Sequence, residues 1–227
     1  QENFKPIVAL WFATFALAPG FFMPIEQEVG RALAHRRALG QGGLPIVRKI
    51  IPLTIGLAVI VSALVLAGSP WLTKDFFEGH WLVTAALILA FVGYAPAHLA
   101  RGICSGTGKF VDYGIVMGMD GATRIAGCIA LWLIGVKVIG AYAMVVALAP
   151  LLGVAIVYFR GALSTQDGEP ASWSEITPNL GWLLGGSIMA AALVNAGPIG
   201  MNILADGSES ELVTKFGNGV LLARVPL

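Results

Sequence analysis

Six apolar runs, each about as long as a bilayer-spanning helix, follow one another along the sequence, and a seventh begins near residue 212. A helix needs about 20 mostly apolar residues to cross the hydrocarbon core of a membrane. The connections between the runs are short, and several contain glycine, serine or proline turn residues. The sequence therefore predicts an all-α, polytopic membrane bundle with spans near 6–25, 48–68, 81–100, 113–136, 139–159 and 178–203.

Charged residues are scarce over the whole chain, which supports the membrane assignment. They make up 12% of the residues, whereas about a quarter is usual in soluble domains. The mean hydropathy is +0.81 and the formal net charge is +1. The protein has no strong net charge that would indicate a nucleic-acid partner. The composition instead predicts contact with membrane lipid.

Lysine and arginine are unevenly divided between alternate connections. Eight of them lie in 26–49, 101–112 and 160–177, and two lie in 69–80, 137–138 and 204–211. Because basic residues favour the cytoplasmic side, the first set of connections is predicted to be cytoplasmic and the protein to be a multi-pass protein of the cytoplasmic membrane. The first span then enters from outside. We therefore expect the chain to be a fragment of a larger transporter, with one helix ahead of it.

Asp120 and Arg124 are the charged residues that an apolar span explains least well. Both lie in the span 113–136, four residues apart and therefore on one helix face. A charge at the centre of a lipid-facing helix costs about 2.5–3.5 kcal/mol, so this face is expected to look into the bundle or into water. Two interpretations stay open. The pair either links neighbouring helices, or Arg124 presents its guanidinium to a phosphate or carboxylate while Asp120 orients it.

The segment PIEQEVGRALAHRR at 24–37 predicts a charged helical extension at the cytoplasmic end of the first span. Glu26, Glu28 and Arg31 lie closest to the membrane, where they could form a gate or access site or could simply anchor the helix. Arg36 and Arg37 are predicted to be anchors against anionic lipid.

Polar residues in the last complete span form a second candidate group. Asn195 and Asn202 are seven residues apart and share one helix face. Amide side chains inside a membrane can hydrogen-bond a neighbouring helix or line a pathway. We therefore include both with Asp120 and Arg124 as candidate cavity residues.

Glycine spacing predicts two close helix contacts. Gly114 with Gly118, and Gly181 with Gly185, have the four-residue spacing that lets helices approach. His98 is predicted to be an interfacial residue near the cytoplasmic end of its span.

Motifs for catalysis, nucleotides or metals are not recognisable. The segment SGTGKF resembles a phosphate-binding loop, but Ile103 replaces its first glycine and Phe110 its hydroxyl residue. The histidines have no metal-ligand spacing. The sequence thus predicts a protein that is not an enzyme, with no catalytic residues, no metal and no cofactor.

Three segments carry a resemblance to a known family: PIEQEVGRALAHRR at 24–37, LARGICSGTGKFVDYGIVMGMDGATRIAG at 99–127 and LLARVPL at 221–227. They resemble the polysaccharide and oligosaccharide flippases (lipopolysaccharide/polysaccharide biosynthesis proteins) of the multidrug/oligosaccharidyl-lipid/polysaccharide exporter superfamily. The resemblance implies two helical lobes around a central cavity. The N-terminal lobe would be 1–160, the cytoplasmic linker 161–177, and the start of the C-terminal lobe 178–227.

The resemblance also implies a function. Such a protein would move a polyprenyl-linked glycan across the membrane by alternating access, driven by an ion gradient or by substrate exchange. Arg124, and then Arg31, would contact the anionic headgroup, and Asp120 is a candidate carboxylate for a coupling ion. The alternatives are an ion-coupled multidrug exporter of the same superfamily, a lipid II-type flippase, or a membrane glycan polymerase or ligase, whose large outer loop the short outer connections do not provide.

Overall fold

The computed structural model describes residues 5–205 and 207–224, and all regular structure within them is helical. Six helices are long and apolar enough to cross a membrane, which confirms the predicted all-α bundle. A shorter seventh helix follows, and the end of its predicted span, 225–227, lies outside the described residues. The helices are α1 Lys5–Ala38, α2 Leu44–Ala67, α3 Trp81–Gly106, α4 Phe110–Leu133, α5 Ile139–Phe159, α6 Leu180–Leu204 and α7 Ser210–Arg224.

Two helices extend further than the apolar runs that predicted them. α1 has 34 residues and continues without a break through the charged segment 24–37, which confirms the helical extension. At 1.5 Å per residue it is about 51 Å long, well beyond the roughly 30 Å of a hydrocarbon core. α3 runs past residue 100 to Gly106. Arg101 is therefore a helical residue. Its assignment to the connection 101–112, which made it a loop residue, was wrong.

α1 lies at the centre of the bundle. It packs against α3 and α6, while α3 also contacts α5 and α2, and α4 packs mainly on α5. Large side chains such as Phe22 and Phe91 fill the core between α1 and α3. α4 and α6 leave most of their apolar side chains exposed, among them Leu133 and Trp182, as expected of helix faces that contact lipid.

Glycines let the backbones of α1 and α3 come close together. A Cβ added to Gly102 would lie 2.7 Å from the carbonyl oxygen of Glu26, and one added to Gly106 would lie 2.7 Å from that of Gly30. Gly102 and Gly106 are four residues apart and face Gly30, so small residues let the two backbones touch. This close spacing fixes the position of Glu26 on α1 relative to the side chains of α3.

The glycine pairs predicted from the sequence are not at such contacts. A Cβ at any of the four would have open space, because no neighbouring atom of residues 5–205 and 207–224 lies within 4 Å of it. The prediction of close approach was therefore wrong for these positions, since spacing alone does not show which face of a helix meets a neighbour. The positions are Gly114, Gly118, Gly181 and Gly185.

Residues 160–177, here called the strap, are fixed to the bundle by Arg36. Its guanidinium donates to the carboxylate of Glu175 at 2.9 and 3.3 Å, and to the carbonyl oxygens of Gly42, Glu169 and Pro170 at 3.1, 2.8 and 3.4 Å. Arg36 is buried. The prediction that Arg36 anchors the helix to lipid was therefore wrong.

The contact with Arg36 also sets the ionisation state of Glu175 in the strap. Hydrogen bonds from Arg36, followed by one from the backbone N–H of Ser172, lower the pKa of Glu175 from its ordinary 4.5 to about 2. Glu175 also accepts a hydrogen bond from the Ser172 hydroxyl at 3.1 Å. The carboxylate is thus ionised over the whole physiological range, and the ion pair holds the strap in place.

Lysines complete the attachment of the strap and show that the basic connections meet at one end of the bundle. Lys49 donates to the carbonyl oxygen of Ala171 and lies 4.9 Å from the ring centre of Trp173. Lys109 donates to the carbonyl oxygens of Ala162 and Ser164 at 2.7 and 3.0 Å. We call this the basic end. It joins the three connections that the charge distribution assigned to one side.

Candidate functional site

Arg124 points into the bundle. Of the described side chains of α4, only those of Val116 and Arg124 are fully buried. The guanidinium Nη2 lies 2.5 Å from both carboxylate oxygens of Asp120 and donates to the hydroxyl of Tyr94. The side chain of Arg124 therefore faces the inside of the bundle, as expected from the cost of placing a charge against lipid.

Aromatic rings surround the rest of the guanidinium. Its centre lies 5.4, 5.0 and 5.8 Å from the ring centres of Trp11, Phe15 and Tyr94. Cation–π contacts of this kind gain strength when water is excluded. The Nε of Arg124 is buried and has no hydrogen-bond partner among the described residues. The pair thus ties α4 to α1 and α3, as the structural interpretation expects, and leaves one donor of the arginine unused.

A cavity of about 150 Å³ lies beside this pair, and we call it the inner cavity. Side chains from α1, α3, α4 and α5 enclose it. It is smaller than the roughly 300–1,000 Å³ of pockets for drug-sized ligands, so it has room for several waters but not for a sugar chain. Its lining residues are Phe15, Pro19, Met23, Tyr94, Ala97, His98, Arg101, Val116, Met117, Asp120 and Pro150.

Glu26 joins the charged residues of α3 to α1. Its Oε2 is 2.8 Å from Nδ1 of His98 and 2.9 Å from Nη2 of Arg101. Its Oε1 accepts a hydrogen bond from the hydroxyl of Tyr113 at 3.2 Å. His98 is 2% exposed, so the prediction of an interfacial position was wrong: the ring is buried inside the protein.

A second cavity, of about 460 Å³, opens at the basic end. We call it the outer-mouth cavity because it opens at the surface of the protein; the name does not refer to the extracellular side. Its lining includes Glu26, Gly30, Arg31, Ser105 and Tyr113. Glu26 and Arg31 therefore share one open cavity, as the predicted access site requires.

Glu28 and Arg31 form a separate pair beside the strap. Glu28 is buried, and its Oε2 lies 2.7 Å from Nη2 of Arg31, which also donates to the carbonyl oxygen of Glu175 at 2.6 Å. Arg31 thus belongs both to the outer-mouth cavity and to the strap attachment. Glu28 does not line the cavity with Glu26.

Asn195 and Asn202 lie on one buried face of α6, as predicted, but they do not line the inner cavity. The amide of Asn195 donates to the carbonyl oxygen of Ala191 in its own helix at 2.8 Å. That of Asn202 donates to the carbonyl oxygen of Phe76 at 3.4 Å, at the end opposite the basic end. Asn202 therefore acts as a link between α6 and the turn that precedes α3.

Sequence reasoning missed three side chains of the site: Tyr94, His98 and Arg101. They are four and three residues apart, so they lie on one face of α3. That periodicity was readable in YAPAHLAR, but Arg101 had been assigned to a loop and His98 to the membrane surface. Within 5–205 and 207–224, no group of three or more His, Cys, Asp or Glu side chains could hold a metal ion.

Comparison with known proteins leaves the function open. No protein-family profile and no solved structure matches the chain. Uncharacterized proteins of Mycobacterium bovis and of two strains of Mycobacterium tuberculosis are 28% identical to it over 140 residues. The match covers 59% of this chain and 31% of each relative, so the chain spans less than a third of the length of these relatives.

Proposed function

We propose that the chain is part of a non-enzymatic transporter that flips polyprenyl-linked oligosaccharide or polysaccharide precursors across the cytoplasmic membrane by alternating access. The observation that carries this proposal is the inner cavity, which lies inside a membrane bundle and has room for several waters. Asp120, Arg101 and His98 are in its wall. Ionisable groups inside a membrane are costly, and they mark transport pathways more often than they serve packing alone.

Two arginines suit an anionic headgroup: Arg101 lines the inner cavity, and Arg124 lies behind the wall, paired with the lining residue Asp120. Arg101 and Arg124 each have a buried Nε without a hydrogen-bond partner in the described part of the chain. A guanidinium binds pyrophosphate or carboxylate through two parallel hydrogen bonds, so an unused donor is available to such a group once the cavity opens. The role that the resemblance gave to Arg124, and then to Arg31, is here extended to Arg101.

The size of the inner cavity supports alternation between states. A sugar headgroup does not fit into about 150 Å³, so the helices around the cavity would have to separate. Proline interrupts the backbone hydrogen bonds of a helix and favours bending there. Prolines lie inside the helices that line the cavity, at positions 19, 24, 96 and 150.

The test is the lipid content of cells. Inactivating the full-length gene should cause a sugar-loaded polyprenyl lipid to accumulate, and the wild-type gene should restore the normal level. Arg124→Ala and Arg101→Ala should fail to restore it, although the proteins reach the membrane. Arg160→Ala is the matched control, because Arg160 is exposed and pairs with Asp112 at the surface. Normal lipid-linked glycan in the inactivated strain would refute the proposal.

One observation favours a second candidate, an ion-coupled multidrug exporter. The carboxylate of Asp120 shares the inner cavity with Phe15, Tyr94, Met23 and Met117, a lining that suits flat organic cations. Such an exporter would make the inactivated strain sensitive to cationic drugs without any accumulation of glycan lipid. If the accumulated lipid carried a peptidoglycan precursor instead, the protein would be a lipid II-type flippase.

A further inference from the structure

His98 separates the two cavities of the basic half of the bundle. It lines the inner cavity and not the outer-mouth cavity, whereas Glu26 lines the outer-mouth cavity and not the inner one. The hydrogen bond of 2.8 Å between His98 Nδ1 and Glu26 Oε2 therefore crosses the wall between them. The other ring nitrogen, Nε2, is buried and unpartnered among the residues that the structure describes.

The hydrogen bond to Glu26 fixes the chemistry of the ring. An ionised carboxylate only accepts hydrogen bonds, so Nδ1 must carry the proton, and Nε2 of a neutral ring then presents a lone pair. Nδ1 faces Glu26 in the wall, and the His98 ring lines the inner cavity with its Nε2 buried. Adding a proton at Nε2 turns the ring into a cation, and the Glu26 carboxylate at Nδ1 supplies its counter-charge.

The charged groups around His98 favour a proton over a metal cation. Glu26 on α1, Arg101 and Tyr94 on α3, and Tyr113 and Asp120 on α4 face the site, while α5 contributes an apolar proline to the cavity wall. Each carboxylate already contacts a guanidinium: Arg101 lies 2.9 Å from Glu26, and Arg124 lies 2.5 Å from Asp120. Hard metal cations need several free oxygen ligands, but a proton needs only the lone pair of Nε2.

We propose that His98, positioned by Glu26, is the proton-binding residue of the transporter, so that the coupling ion is H⁺. One N–H bond forms at Nε2 when the inner cavity is open to the side of higher proton activity, and the same bond breaks when the cavity is open to the other side. Nδ1 keeps its proton throughout. No other bond changes, and no metal or redox partner takes part. This inference rests on the proposed function only for the coupling, since the proton site itself stands on the geometry.

The proton site can be tested without a substrate. Full-length protein labelled with ¹⁵N-histidine is studied by NMR in lipid nanodiscs between pH 5 and 9, and the His98 signals are assigned by their loss in His98→Gln. We expect Nε2 to change from a lone-pair nitrogen to N–H while Nδ1 stays protonated. In Glu26→Gln, the proton affinity of His98 should be lower by tenfold or more, because the imidazolium loses its counter-charge. This affinity is measured from the His98 signals themselves.

Two controls and two contrary results define this test. His80→Gln, at an exposed position, should leave the titration of His98 unchanged, and so should exchange of Na⁺ for choline. A His98 ring that stays neutral with a lone pair on Nε2 over the whole pH range would overturn the proposal. A titration that Na⁺ displaces would also overturn it. If His98→Gln folds poorly, the His98 signals are assigned by their loss in His98→Asn, and the Glu26→Gln measurement is made as before.

The coupling is tested in the strain that lacks the gene. His98→Gln should accumulate glycan lipid as the inactivated strain does, whereas His80→Gln should restore the normal level. Full restoration by His98→Gln would overturn H⁺ coupling and leave the flippase function standing. If the inactivated strain accumulates no glycan lipid while His98 titrates as expected, the substrate assignment fails and the proton site stands.

Discussion

Gly102→Ala should separate α1 from α3 by a small and measurable distance. The added Cβ would lie 2.7 Å from the carbonyl oxygen of Glu26, which is 0.7 Å closer than the 3.4 Å at which ordinary contact begins. The obstructing atoms belong to the backbone of α1, so no side chain can rotate away. Overpacking of this kind costs about 1–3 kcal/mol, and the better helix propensity of alanine returns roughly 1 kcal/mol. We expect a net loss of about 0–2 kcal/mol, against a gain of up to about 1 kcal/mol where alanine meets open space.

The measurement is reversible unfolding of the full-length protein in lipid bilayers, with Gly114→Ala as the matched control. Gly114 is also helical, but its Cβ would have open space, so the same chemical change should be neutral or stabilising there. Gly102→Ala should also weaken the bond between Glu26 and His98, because that bond spans the contact that widens. If Gly102→Ala were as stable as Gly114→Ala, the close backbone contact between α1 and α3 would be refuted.

Three further predictions concern the strap and the buried pair. Arg36→Ala should raise hydrogen exchange of the strap amides tenfold or more, because four hydrogen bonds to the strap are lost; unchanged exchange would contradict the attachment. Since the pKa of Glu175 is lowered to about 2, its ion pair should hold the strap fully above pH 4.5 and release it as the pH falls toward 2, measured as exchange against pH. Arg124→Ala should destabilise the protein by about 3–5 kcal/mol by leaving Asp120 unpaired, and Asp120→Ala in the same protein should recover part of that loss; strictly additive losses would show that the pair does not interact.

Hydrophobic run length predicted the helices well but not their ends. Apolar runs of about 20 residues are strong signals because the bilayer sets their length. The charged continuation of α3 to Gly106 carries no such signal, so Arg101 was assigned to a connection. Likewise, the sequence showed that Gly114 and Gly118 share a face, but not that this face meets open space. Contacts between helices depend on partners that are distant in sequence, and one sequence does not name them.

The candidate site was predicted in part for the same reason. Asp120 and Arg124 were found because their spacing is local and because charge in an apolar helix has a known cost. The bond between Glu26 and His98 joins residues 72 positions apart. No local rule pairs them, and a single histidine in an apolar span is by itself a weak signal. Arg36 was misjudged because its five acceptors come from two separate segments that fold onto it.

α1 carries two of the attachments described above, one at each of its halves. The basic half of α1 is bound to the strap by Arg36 and to α3 at Gly30, while its other half contributes Phe15 to the rings around Arg124. Pro19 and Pro24 lie between these two halves, inside the helix. Because a proline weakens helical hydrogen bonding locally, a bend there could release Arg124 from its rings while the basic half stays attached. Such a bend would break the contacts of Trp11 and Phe15 with Arg124 and leave the bonds of Arg36 to the strap intact.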